Sequence, residues 1–66
     1  MSDTLSPAEI ERRARDAGAS IAAICRAADV AHTTFGRWKR GETKPTLGVY
    51  ERICQALAEA ERGKSL

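Results

Sequence analysis

The apolar positions of this chain recur at spacings of three and four, the period of helices with one buried stripe, and the two-residue alternation of strands is absent. Ile10, Ala14 and Ala17 share one face of a first predicted helix, and Ile21, Ile24, Cys25 and Ala28 form the stripe of a second. Phe35 and Trp38 mark a third; Leu47, Tyr50, Ile53, Cys54 and Leu57 mark a fourth. The boundary residues agree with this division. Ser6-Pro7-Ala8-Glu9 opens the first helix with a cap, a proline suited to the first helical position and a glutamate placed for a capping box, and Gly18 supplies a left-handed stop. Ser20 caps the second helix, which ends in a short turn around Ala28-Asp29-Val30-Ala31. The third runs from about His32 to Lys39 and closes at Arg40-Gly41. Thr46 caps the fourth, expected to end near Arg62 with Gly63 as its stop. The pattern predicts a small all-α, four-helix domain over residues 6–62, a disordered N-terminus over 1–5 and a frayed tail over 63–66.

Two short helices joined by about four residues form a helix-turn-helix unit. Cys25 is small enough to let the second and third helices cross closely, and Val30 fills the angle between them. With Phe35 taken as the origin and about 100° per residue, Trp38 falls about 60° away on the same face, while Thr33, Arg37 and Arg40 fall opposite, with Gly36 beside them. The third helix is thus expected to bury two aromatic rings and turn threonine and arginine outward.

Charge sharpens the picture. The net charge is +2 over 66 residues, but it is unevenly placed. Residues 26–44 carry Arg26, Arg37, Lys39, Arg40 and Lys44 against Asp29 and Glu42, a net +3; residues 1–25 are net −1 and residues 45–66 are neutral. A polyanion would meet the middle third first. One domain of this size has a marginal core, which self-association would help. The two cysteines, Cys25 and Cys54, lie 29 positions apart among apolar residues with one histidine in the chain, so they read as small buried hydrophobes with free thiols rather than metal ligands. No metal or other cofactor is expected, and no small-molecule ligand. His32 has no acid or nucleophile at catalytic spacing, so an enzyme is not expected either. No apolar run approaches the roughly 20 residues of a membrane span, and Met1–Leu5 shows no secretory pattern. A cytoplasmic protein with no membrane partner is expected.

The stretch from Ile21 to Gly41, with Arg37-Trp38-Lys39-Arg40-Gly41 and then Pro45 as its most specific part, resembles the lambda-repressor-like, Cro/repressor-type helix-turn-helix family. The resemblance spans roughly residues 8–60. It implies a four-helix, or at most five-helix, DNA-binding domain whose third helix reads the major groove, and a homodimer on a palindromic operator. Carried over by position, the base-reading residues are His32, Thr33 and Arg37, with Thr34 and Gly36 at the margin. Arginine can bond guanine through two parallel hydrogen bonds, and threonine can meet a thymine methyl. Ser20, Ile21, Lys39, Arg40 and Lys44 are the phosphate candidates, Ile21 through its backbone amide. This chain departs from the family at three places. Ile21 stands where glutamine is common, Asp29 where the turn often has glycine, and Ala31 where serine or threonine usually caps the recognition helix. A fifth helix, which many members use for dimer contacts, is missing from the pattern.

Plainer readings stand beside these. His32 reads also as a solvated first-turn residue, and Arg37 with Arg40 as an ordinary charged face. Gly36 reads as a tolerated glycine, and Arg12, Arg13 and Arg15 as a solvated face or flanking phosphate contacts. The expected function is a transcriptional regulator, a repressor of phage or prophage type. The alternatives are the antitoxin of a toxin–antitoxin pair and a protein-interaction module that uses the fold without DNA.

Overall fold

The computed structural model describes residues 5–64. The expected disorder over Met1–Thr4 and the end of the expected tail, Ser65 and Leu66, lie outside the described residues. Four helices follow in order: α1 (Pro7–Asp16), α2 (Ile21–Ala27), α3 (His32–Lys39) and α4 (Leu47–Lys64). None is long and apolar enough to cross a membrane.

The helix starts follow the local sequence. Ser6 accepts the Glu9 amide at 3.2 Å, with Pro7 in the first turn. Ser20 accepts the Ala23 amide at 3.1 Å, and Thr46 the Val49 amide at 3.3 Å. The second half of the expected capping box is not made, because the Glu9 carboxylate turns to Arg12 one helical turn later. At α3, Ala31 leaves the first-turn amides without a side-chain cap.

The first three helices end in one way. In each, the residue after the cap takes a left-handed backbone: Gly18 at φ 79°, Asp29 at φ 60° and Gly41 at φ 81°. Paired hydrogen bonds then close the end, Gly18 N to Arg15 O with Ala19 N to Ala14 O, Asp29 N to Arg26 O with Val30 N to Cys25 O, and Gly41 N to Trp38 O with Glu42 N to Arg37 O. These are three successive Schellman closures, and each turns the chain sharply toward its next helix. Asp29 occupies the turn of the helix-turn-helix, where its short polar side chain tolerates a conformation most residues avoid.

The core is one cluster drawn from every helix: Ile10 and Ala14 of α1, Ile24, Cys25 and Ala28 at α2, Phe35 of α3, and Ile53, Ala56 and Leu57 of α4. Val30 packs against it from the turn, as expected of a plug. α4 crosses behind α1 and α2, while α3 lies on α1 and α2 and meets α4 through rings. Trp38 stands edge-on to Phe35 (centroids 5.7 Å apart, 86°) and to Tyr50 (6.2 Å, 84°). The Arg52 guanidinium donates to the Ala28 carbonyl at 3.0 Å, which ties α4 to the end of α2, and Arg13 of α1 makes a two-point bond with Glu61 of α4 at 2.9 Å.

Three expectations are corrected. Leu47 is 71% exposed and does not join the buried stripe. Successive steps of three residues each fall short of a full turn by about 60°, so from Ile53 through Tyr50 to Leu47 the stripe drifts about 120° off the core. Ala56 takes a core position instead. Gly63 does not stop α4, which runs through it to Lys64; it lacks the left-handed backbone by which Gly18 and Gly41 end their helices. Leu5, expected within the unstructured N-terminus, packs against the core and donates its amide to the Tyr50 hydroxyl at 2.6 Å.

Candidate nucleic-acid interface

The outer side of α3 follows from how its inner side is held. Phe35 is buried to 2% exposure and Trp38 is half-buried, so the helix cannot roll without withdrawing both rings from the core. His32, Thr33, Thr34 and Arg37 are then exposed, and Gly36 is half-buried. Four of the five base-reading candidates, His32, Thr33, Gly36 and Arg37, line one shallow hollow of about 390 Å³, together with Arg40. Thr34 is exposed but lies outside it. The side chains of Arg37 and His32 make no hydrogen bond or ion pair with the described residues, so both polar ends are available to an incoming group.

At Gly36 this side of α3 carries no side chain. A β-carbon there would lie 3.4 Å from the Arg40 Nη1 atom, a contact that a flexible guanidinium can relieve by a small shift. The glycine therefore leaves room for Arg40 to lie along the helix, beside the base-reading candidates.

The phosphate candidates do not form one group. Ser20, Ile21 and Lys39 line a second hollow of about 380 Å³, shared with Ala19 and with Glu11 and Arg15 of α1. Arg40 joins the first hollow. Lys44 lines a third, of about 580 Å³, among the largely apolar Leu5, Pro7, Trp38, Pro45, Leu47 and Tyr50. The Ser20 oxygen already accepts the Ala23 amide, leaving its hydroxyl proton to donate.

Two of the candidate cations are held by acids of the same chain. The Lys39 ammonium sits between both oxygens of Glu11, 3.0 Å from one and 3.1 Å from the other. Arg40 donates Nε to Glu42 at 2.9 Å, and its guanidinium holds the Glu42 carboxyl below the ordinary range. The place of Glu11 beside α3 could not be read from the sequence, because its partner lies 28 residues away. Only the four-residue interval from Glu11 to Arg15 signalled that these two share a face of α1.

Both cysteines are free thiols, Cys25 buried and Cys54 half-buried. Burial raises the Cys25 thiol above its ordinary pKa, which keeps it neutral and inert, consistent with a small core hydrophobe.

No curated protein and no solved structure matches the chain. A family model described as a helix-turn-helix domain matches residues 8–62, from the second residue of α1 to near the end of α4. With its buried-ring clamp, left-handed turn and outward-facing α3, the chain belongs to this helix-turn-helix family, within the lambda-repressor-like group of DNA-binding domains.

Proposed function

We propose that this protein is a sequence-specific transcriptional regulator, a repressor of phage or prophage type, that binds a palindromic operator as a homodimer. The observation that carries the reading is the free outward side of α3. His32, Thr33 and Arg37 project from a helix pinned behind by Phe35 and Trp38, and no part of the described chain bonds to the Arg37 guanidinium. A major groove about 12 Å wide admits such a helix. Arg37 reads guanine, Thr33 a thymine methyl or base edge, and His32 a base or phosphate at the leading tip. Thr34 and Gly36 flank them. Ser20, Ile21, Lys39, Arg40 and Lys44 contact phosphates, which fix register without carrying sequence information.

The size of the domain supports a pair. Half-sites one helical turn apart lie about 34 Å from each other. The fold measures 36 × 29 × 19 Å across its α-carbons, so two copies on adjacent half-sites come close enough to touch. Repression follows by occlusion, since a bound dimer covers promoter sequence.

Selection of bound duplexes from a random DNA pool tests binding, specificity and symmetry together. An enriched site with twofold symmetry is expected. Enrichment of nothing, with a stable complex formed by another protein, would replace this reading with that of an interaction module.

A further inference from the structure

Among the charged groups near α3, Glu11 stands out by its position. It belongs to α1, yet its carboxylate lies in the hollow that Arg15, Ser20, Ile21 and Lys39 also line. Both of its oxygens are within 3.1 Å of the Lys39 ammonium. Its side chain is 23% exposed, against 53% for Lys39, so the acid is the more deeply set partner. Arg15, one turn further along α1, lines the same hollow, and its guanidinium makes no bond with the described residues. The hollow thus holds two cations and one anion, and the anion occupies the bonding position a phosphate oxygen would need. Glu42 holds Arg40 in a similar pair, but there both partners are more than half exposed, and Glu42 does not line the hollow that Arg40 shares with Arg37.

We propose that Glu11 is an internal competitor for a DNA phosphate: it occupies Lys39 in the free protein and must yield it when the backbone of the duplex arrives at Lys39 and Arg15. This rests on the DNA-binding reading above and adds a residue that weakens binding, together with a phosphate ligand, Arg15, on α1. The physical reason is the equivalence of the two anions. Carboxylate and phosphate oxygens offer the ammonium the same charge-assisted bond, so docking exchanges one pair for another. The displaced carboxylate stays beside the phosphate and repels it. Both effects lower affinity for every sequence alike, because no base is involved.

The test compares Glu11→Gln with wild type on a labelled random-sequence duplex, followed by fluorescence anisotropy between about 50 and 200 mM salt. Glutamine keeps the shape and removes the charge. Binding is expected to tighten roughly twofold to fivefold, the range of a partly exposed ion pair, and the salt slope to steepen by up to about one. The ratio of operator to random-sequence affinity stays unchanged. Glu11→Asp, which keeps the charge but draws it back by one methylene, falls between the two and serves as the second variant if glutamine disturbs folding. Glu59→Gln removes an equal charge from a separate hollow beside Arg52 and Gln55, and leaves the slope in place. In a Lys39→Gln background the gain from Glu11→Gln shrinks. The proposal is overturned if Glu11→Gln binds no tighter than wild type, if Glu59→Gln tightens binding as much, or if the gain persists in full without Lys39. Those outcomes leave the DNA-binding reading standing. A wild-type protein that binds no duplex at the lowest salt removes both.

Discussion

Replacing Arg37 by alanine isolates the step from helix face to base recognition. The side chain is exposed and without a partner among the described residues, so its loss disturbs no contact of the fold. Stability is expected to change by less than about 0.5 kcal/mol, as for other surface positions. The effect on recognition is larger. A two-point bond from arginine to guanine discriminates by about 1–3 kcal/mol, which is roughly fivefold to 150-fold at one base pair. Competition among duplexes that carry each of the four bases at each operator position reads this directly. The alanine variant is expected to lose its preference at one position per half-site and keep it elsewhere, with a salt slope close to wild type. Arg37→Lys separates charge from geometry, because it keeps the cation and loses the planar fork. It should lose the same preference. If Arg37→Ala leaves every base preference intact, or lowers the salt slope by about one without touching them, Arg37 is a phosphate contact and the assignment of α3's outer side is wrong.

Other consequences are more local. Gly36→Ala should raise stability by up to about 1 kcal/mol, the helix-propensity difference, since the methyl meets only the movable end of Arg40; weaker DNA binding in a more stable protein would show that the glycine serves close approach, and unchanged binding would show that it is merely tolerated. Lys44→Ala should weaken binding to all sequences and reduce the salt slope by about one, and a slope that stays in place removes Lys44 from the phosphate set. Alkylation of the folded protein should label Cys54 before Cys25, read by mass spectrometry of its peptides. Burial favours the neutral Cys25 thiol, so its contribution to stability is intact below the ordinary thiol pKa and is lost as pH rises through the raised value. Equal labelling rates at mildly alkaline pH would contradict its placement in the core.

Features that depend only on neighbours three to five residues apart could be read directly from the order of the amino acids. The Ser6, Ser20 and Thr46 caps formed because each oxygen needs only the amide three residues on. The left-handed turns at Gly18, Asp29 and Gly41 formed because their closures span five residues or fewer. The orientation of α3 was legible for the same reason: Phe35 and Trp38 lie on one side of a single turn, and Arg37 must then lie on the other.

Tertiary structure decided the rest, because it depends on which groups packing brings together. The Glu9 carboxylate is a local exception: it had two partners within one turn of α1, its cap and Arg12, and it bonds Arg12. The Leu47 spacing looked regular, but only the path of α4 past α1 and α2 determines where a drifting stripe leaves the core. Leu5 and Tyr50 are 45 residues apart, Arg13 and Glu61 are 48 apart, and Glu11 and Lys39 are 28 apart. No local rule pairs such residues. They meet because burying the apolar stripes of four helices fixes the helix axes, and the polar groups at the edges of those stripes then bond with whatever lies within reach.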